Sequence, residues 1–270
     1  MKPTHLIDSL NDAQRAAVSA SASHVMVLAG AGSGKTRVLT HRLAWYVETG
    51  QATPGGILAV TFTNKAANEM RARVEQLLTR STRGMWIGTF HGIANRMLRA
   101  HHREAGLPET FQIMDSDDQV RFLRRLIRDM QLDDAQWSPK EAAWFINARK
   151  EEGQRADHIE TVGDMVSETL VSIYRRYDTA CREAGVVDFA ELLLRSHELL
   201  RERPAMLEHY QTRFRHILVD EFQDTNAIQY AWLRLLAGSI GELFVVGDDD
   251  QSIYSWRGAR VANMLAFERD

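Results

Sequence analysis

The sequence predicts a doubly wound α/β fold, a parallel sheet flanked by helices, interrupted by an all-α insertion. Three observations carry that prediction. Short apolar, β-branched runs recur toward both ends of the chain, and helical patterns separate several of them. Between residue 90 and about residue 214 the strand signals vanish and well-capped helices take over. With 270 residues, 44% of them hydrophobic and 26% charged, the chain has the composition of a folded protein with room for one large domain or two small ones.

Each apolar run reads as a strand buried on both faces: His24 to Ala29, Ile57 to Phe62, Met85 to Gly88, Ile217 to Asp220 and Leu243 to Gly247. Thr36 to Glu48, Asn64 to Leu78 and Asn226 to Ala237 read as helices of the βαβ rhythm. Within the insertion, three helix starts are marked independently. Ser116 opens Ser-Asp-Asp-Gln, Ser138 precedes Pro139 in Ser-Pro-Lys-Glu, and Asp188 stands three residues before Glu191. The spacing of Val120, Leu123, Leu126, Ile127 and Met130 gives the first of these helices one buried face. The expected division is residues 1–89 and 215–270 for the α/β part and 90–214 for the insertion.

Charge excludes an easy answer. Lys and Arg number 33 against 36 Asp and Glu, a formal net charge of −3, so composition gives no case for a nucleic-acid or membrane partner. Cys181 is the single cysteine, which rules out an internal disulfide, and the ten histidines form no zinc-spaced tetrad with it. Met1 to Leu10 lacks a basic stretch followed by an apolar one, and no apolar run approaches a membrane span. A protein of the reducing cytoplasm, with no membrane partner, is expected.

The motifs are more specific. Ala29-Gly30-Ala31-Gly32-Ser33-Gly34-Lys35-Thr36 lies between a strand and a helix, where a phosphate-binding loop belongs. Its glycines would let backbone N–H groups turn in on the β-phosphate, Lys35 would reach the β and γ oxygens, and the Thr36 hydroxyl would ligate magnesium. Ala29 stands where the strict pattern has glycine, and a glycine-rich turn closing a strand is the structural alternative. Asp220 and Glu221 follow an apolar strand and look like a Walker B pair. Asp220 would hold magnesium and Glu221 would orient and deprotonate a water; solvated loop acids or helix caps are the alternative. Gln14, upstream of the loop, has an amide able to read an adenine edge, yet with Asn11 it also spells a capping box, and the residues alone leave both uses open.

Taken together, Leu10-Asn11-Asp12-Ala13-Gln14, the phosphate loop, Thr61 to Ala67, Gly88 to Gly92, Val219 to Thr225 and Val246 to Ala259 resemble, in order, the motifs of the UvrD/Rep/PcrA family of superfamily one DNA helicases. The likeness covers nearly the whole chain. It implies a RecA-like P-loop NTPase domain, 1A, interrupted by a helical domain, 1B, from an ATP- and Mg2+-dependent motor that moves 3′ to 5′ on single-stranded DNA. It implies that Gln14 contacts adenine, that Arg37 packs near the base, and that Gln251 senses the γ-phosphate. It implies a DNA path along Phe62, Thr63, Asn64, His91, Tyr254, Trp256 and Arg260. Single-strand/duplex junctions and proteins of excision and mismatch repair are the implied partners. Aromatic side chains suit such a path because every base has a π face, worth about 1–3 kcal/mol when stacked. A second face, Arg96, Arg99, His102 and Arg103 around Ile93, Ala94, Met97 and Leu98, reads as a phosphate-facing helix or as a solvated one.

The family's later motifs, in domains 2A and 2B, have no counterpart in this sequence. The resemblance therefore implies an N-terminal fragment without the arginines that reach the γ-phosphate, binding nucleotide weakly and turning it over poorly. Two other functions compete: a non-enzymatic DNA- or protein-binding module, and a two-metal nuclease built on Asp220, Glu221, Asp224 and Asp248 to Asp250.

Overall fold

The computed structural model describes residues 4–21, 24–78, 81–161, 163–248 and 261–269. In chain order the helices and strands are α1 (Asp12–Ser19), β1 (His24–Leu28), α2 (Lys35–Glu48), β2 (Ile57–Thr61), α3 (Asn64–Leu77), β3 (Trp86–Thr89) and α4 (Phe90–Ala100). There follow β4 (Gln112–Ile113), α5 (Ser116–Asp129), α6 (Pro139–Glu151), α7 (Met165–Ala184), β5 (Val186–Val187), α8 (Phe189–Glu202) and α9 (Pro204–Arg213). The chain closes with β6 (His216–Val219), α10 (Ala227–Ala237), β7 (Glu242–Gly247) and α11 (Val261–Arg269). They form two compact units: residues 1–93 with 200–270, and residues 94–199.

The first unit is the α/β one. Its five described strands run parallel in the order β1-β7-β6-β2-β3. Alternate strand residues, among them Ile57, Ala59, Leu218, Phe244 and Val246, share an apolar cluster with Leu39, Leu43 and Met70 of the helices α2 and α3. Their neighbours Leu58, Val60, Ile217, Val219, Leu243 and Val245 are buried too, as a sheet covered on both faces requires. Ten consecutive residues of α2, Val38 to Val47, are buried, so this helix has no solvent stripe and lies at the centre of the unit. Helix α9 belongs here rather than to the insertion: Tyr210 and Phe214 stack on each other and both pack on Trp86 of β3. The expected return at residue 215 thus differs from the return of the chain at residue 200, because an amphipathic helix looks the same in sequence whichever unit it covers.

The second unit packs α5, α6 and α7 around Leu123, Ile127, Ile146, Ile173, Tyr174 and Tyr177. The expected all-α insertion is corrected here, because β4 and β5 form a short parallel ladder, Gln112 with Val186 and Ile113 with Val187. Two residues per strand are too few for any periodic signal. Gly185 in the left-handed region ends α7 and turns the chain into β5. Of the three expected starts, α5 is capped one residue earlier, by Asp115 accepting from the Asp118 N–H at 2.7 Å. Pro139 takes the first turn of α6, and Asp188 accepts from the Glu191 N–H at 2.7 Å.

Within this unit lies a closed ionic cluster. The Lys150 ammonium, 1% exposed, meets Asp188 at 2.8 Å, Glu191 at 2.9 Å and Asp178 at 3.4 Å. Arg155 bridges Glu191 and Glu198, Arg195 adds a further contact to Glu191, and the Tyr177 hydroxyl donates to Asp188 at 2.8 Å. Burial alone would lower the lysine's pKa, but Asp188, Glu191 and Asp178 outweigh it and hold the group well above its usual range. Burial would likewise raise Glu191, yet Lys150, Arg155 and Arg195 keep it well below the ordinary carboxylate range.

Candidate nucleotide-binding site

Because the described strands are parallel, their carboxyl ends fall along one edge of the sheet, where ligands of open α/β sheets bind. That edge gathers Ala29 after β1, Phe62 after β2, Phe90 after β3, Asp220 after β6 and Asp248 after β7. The register holds them level: the Ala29 N–H donates to the Gly247 carbonyl at 3.2 Å and the Asp220 N–H to the Val60 carbonyl at 3.0 Å.

The loop has the backbone of a phosphate cradle. Gly32 and Gly34 stand at φ 75 and 90, a region that L side chains avoid, and Gly34 caps the start of α2. Gly30, Ala31, Gly32 and Ser33 are exposed, and a Cβ on Gly30 or Gly32 would meet nothing within 4 Å. The loop is open on the side a ligand would enter. Lys35, at the first turn of α2, folds back with its ammonium 2.7 Å from the Ala29 carbonyl, 3.1 Å from that of Gly30 and 3.0 Å from Asp248 Oδ2. One carboxylate and two carbonyls thus hold the cation that the sequence assigns to phosphate. Thr36 follows it in the same turn.

Gln14 serves the capping use: Asn11 Oδ1 accepts its N–H at 2.9 Å and its Oε1 accepts the Asn11 N–H at 3.2 Å. Its Nε2 also donates to the Ser33 carbonyl at 3.0 Å, which fastens α1 to the phosphate loop. Arg37 Nη2 donates to the carbonyl and hydroxyl of Ser9, both at 2.9 Å.

Asp220 is 4% exposed, and burial followed by the neighbouring Glu221 carboxylate pushes its pKa up to about 6, against the pull of the Glu221 N–H and Lys35. Glu221 has the left-handed backbone, φ 51 and ψ 46, one of two described non-glycine residues with positive φ. Asp220 and Thr36 supply hard oxygen donors, the chemistry that Mg2+ takes, and the open loop fits a polyphosphate; the residues fit the group they were assigned. Among the described residues no three His, Cys, Asp or Glu side chains gather to hold a metal, so Asp220, Glu221, Asp224 and Asp248 do not form the paired-metal cluster of the nuclease alternative. Asp249 and Asp250 lie outside the described residues.

Two residues of this site have roles that the sequence did not assign to them. Asp248, 0% exposed, takes Lys35, and Gln223, 3% exposed, links Glu221 to the Asp248 N–H. Both sit in quoted motifs, and their signal was position: a polar residue directly past a buried strand end must find a partner. Asn263 of α11 was missed with them; its Nδ2 donates to the Thr225 carbonyl at 2.9 Å and faces Thr225 Oγ1 and the Asn226 carbonyl at 3.2 Å, pinning α11 to the turn after Glu221.

Of the candidate DNA residues, Phe62, Thr63, Asn64 and His91 come together at the ends of β2 and β3. Phe62 is half-buried against Phe90 at 5.4 Å, Thr63 caps α3 by accepting the Ala66 N–H, and Asn64 is exposed. Burial lowers the pKa of His91, favouring the neutral ring. Gln251, Tyr254, Trp256 and Arg260 lie outside the described residues. On α4, Ile93, Ala94, Met97 and Leu98 are buried while Arg96 and Arg99 are exposed, as is Arg103 in the turn beyond it, and Arg99 stacks 3.6 Å over Phe111.

A parallel sheet, a glycine loop ahead of α2 and, past the intervening β7, a buried Asp220 with Glu221 beside it at the end of β6 define a P-loop nucleotide-binding α/β domain with a helical insertion. Residues 10–270 match the family described as UvrD/REP helicase N-terminal domain, and the chain belongs to that family. It is similar to DNA helicase II of Escherichia coli, 59% identical over 100% of this chain and 38% of that protein. DNA helicase II of Haemophilus influenzae is 53% identical over the same shares. ATP-dependent DNA helicase PcrA of Leuconostoc citreum is 41% identical over 98% of this chain and 36% of that protein. The chain therefore spans less than half the length of these relatives. Among the described residues no helix is long and apolar enough to cross a membrane.

Proposed function

We infer that the chain is the ATP- and single-stranded-DNA-binding half of an ATP-dependent 3′–5′ DNA helicase, with the α/β unit as domain 1A and the helical insertion as domain 1B. The observation that carries the reading is Lys35, held at the mouth of an open glycine loop by one carboxylate and two loop carbonyls that phosphate oxygens can replace. In this reading the N–H groups of residues 30–36 and the Lys35 ammonium bind the phosphates of ATP. Thr36 and Asp220 hold Mg2+, which when bound draws charge from the phosphates. Glu221 orients and deprotonates the water, and Gln251 senses the γ-phosphate. Gln14 reaches adenine by giving up its bond to Ser33, and Arg37 packs beside the base.

Phe62, Thr63, Asn64, His91, Tyr254, Trp256 and Arg260 form the DNA path, entered from a single-strand/duplex junction. The relatives named DNA helicases support that assignment, and excision and mismatch repair in the cytoplasm is the proposed setting of the whole protein. Residues 1–270 by themselves are proposed to turn ATP over slowly, since arginines supplied from elsewhere contribute about 10³- to 10⁵-fold in related NTPases.

The test is a titration of this chain with a fluorescent ATP analogue and Mg2+, with and without oligo-dT. Lys35→Ala is expected to weaken nucleotide binding about 10- to 100-fold, the worth of one or two charged hydrogen bonds. Trp256→Ala is expected to cost DNA affinity about 1–3 kcal/mol while leaving nucleotide binding alone. Wild-type binding unaffected by Lys35→Ala would sink the nucleotide-site assignment, and DNA binding indifferent to Trp256 would remove the aromatic path.

A further inference from the structure

One buried side chain lies between the two sides of the site without a role in the reading above. Gln223 donates from Nε2 to Glu221 Oε2 at 2.8 Å and accepts at Oε1 from the Asp248 N–H at 3.0 Å. The fit is close, since a Cβ on Gly247 would stand 3.0 Å from that Oε1. Glu221 itself has a left-handed backbone, which a non-glycine residue keeps only where its surroundings impose it. A general base has to be held within reach of its water, and the bond from Gln223 restrains the carboxylate that would do this work.

The other end of the same amide is what makes Gln223 more than a clamp. It holds the main chain of Asp248, whose own carboxylate takes Lys35 at 3.0 Å. A continuous run of contacts thus joins Lys35, Asp248, Gln223 and Glu221, from the cation that would meet the phosphates to the carboxylate that would activate water. An uncharged amide suits the position because it accepts from an N–H with one atom and donates to a carboxylate with the other.

We propose that Gln223 is a positioning residue that couples phosphate contact at Lys35 to the placement of the Glu221 carboxylate. This rests on the nucleotide-hydrolysing reading of the site. When phosphate oxygens draw Lys35 from Asp248, the end of β7 is freed to move, and Gln223, bonded there through the main chain, carries the movement to Glu221. Gln223→Glu keeps the acceptor for Asp248 and loses the donor to Glu221, whereas Gln223→Met keeps the length and loses both bonds.

The experiment uses the chain of residues 1–270, labelled with 15N, and follows the amide signals of Asp248 and Glu221 as Mg2+ and ATPγS are added. In the wild type both signals are expected to move together along the titration. In both variants Asp248 is expected to move and Glu221 to stay, with nucleotide affinity within about twofold of wild type and single-turnover hydrolysis about 10- to 100-fold slower, part of what a general base contributes. The melting temperature, read alongside, separates this from simple unfolding, and Gln223→Met serves if the buried glutamate prevents folding. Glu221 moving in the variants as in the wild type, or affinity and melting temperature falling together with turnover, overturns the coupling and leaves the site assignment intact. Failure of the wild type to bind the nucleotide, with Lys35→Ala no different, overturns both.

Discussion

Two lysines in this molecule meet aspartates at nearly the same distance, and the difference in what surrounds them separates a scaffold from a site. Lys150 reaches Asp188 at 2.8 Å and Lys35 reaches Asp248 at 3.0 Å. Around Lys150 two more carboxylates, Asp178 and Glu191, complete the shell, and Arg155 and Arg195 balance the excess negative charge. Each carboxylate there is a side chain held by packed structure, Asp178 on α7, Glu191 on α8 and Asp188 at the start of α8. Around Lys35 the remaining partners are carbonyls of an exposed glycine loop, which any stronger oxygen ligand can displace. Burial with a full set of partners fixes a fold; burial with replaceable partners leaves a place for a ligand.

The largest expected effect breaks the closed cluster. Lys150→Met strands Asp178, Asp188 and Glu191 together in a space that excludes water, and removing one member of such a set costs about 3–5 kcal/mol. Urea unfolding read by hydrogen exchange should show the loss in residues 94–199 first. A cost below about 1 kcal/mol would mean that water reaches the cluster and the contrast with Lys35 is false.

Lys35→Met should cost less, about 1–3 kcal/mol, because it takes the ammonium away from a single buried carboxylate beside an exposed loop. Ligand sharpens the contrast. Nucleotide at 100 times the wild-type Kd should add about 2.7 kcal/mol to the wild-type α/β unit and only about 0.4–1.4 kcal/mol to Lys35→Met, if that variant binds about 10- to 100-fold more weakly, as expected of Lys35→Ala. Equal stabilisation of both would show that Lys35 is not a phosphate ligand.

Gly34→Ala comes next. At φ 90 a side chain is strained by about 1–3 kcal/mol, and its Cβ would lie 2.8 Å from Gln14 Nε2, displacing the bond that fastens α1 to the loop. Gly30→Ala meets open space and has no positive φ, so it should fold like the wild type while crowding the cradle. Melting curves and nucleotide titration on the pair distinguish backbone strain from ligand exclusion.

Much of this was legible in the sequence, for reasons that can be named. The strands announced themselves because a sheet covered on both faces needs unbroken apolar runs such as Ile57 to Thr61, all buried. The loop and the Asp220-Glu221 pair were legible because few residue types satisfy their backbone and charge demands. Four things were not. The ladder of β4 and β5 is two residues long, and α9 carries nothing that says which unit it covers. Lys150 reads as one more charge of α6, since its partners come from residues 178, 188 and 191 and only the fold brings them near. Gln223 likewise looks like an ordinary polar residue until Asp248 arrives beside it from β7.

The smallest expected effect is in pH, and it again divides the two units. Burial lowers the pKa of His24, of His41 despite its bond to the Leu6 carbonyl, and of His91. The unfolded chain therefore takes up their protons near pH 6.5 while the folded unit resists them, and stability falls as pH drops through that range. Asp220 works the other way, because its raised pKa lets the folded unit bind a proton near pH 6 that the unfolded chain takes up only near 4. Between pH 7.5 and 5.5 the loss therefore falls on the elements that carry the histidines, His24 on β1, His41 on α2 and His91 on α4. In the helical unit the Glu191 pKa is depressed, so its contribution is present above the ordinary glutamate range and is lost only in stronger acid; Lys150 stays charged throughout. Hydrogen exchange at pH 7.5 and 5.5, corrected for intrinsic rates, should show β1 and α2 opening more readily at the lower pH while α6 and α7 hold. His41→Gln should reduce the change in α2. If α6 loosened as much as α2, the ionic cluster would be titrating in mild acid, and its separation from the nucleotide site as a closed scaffold would fail.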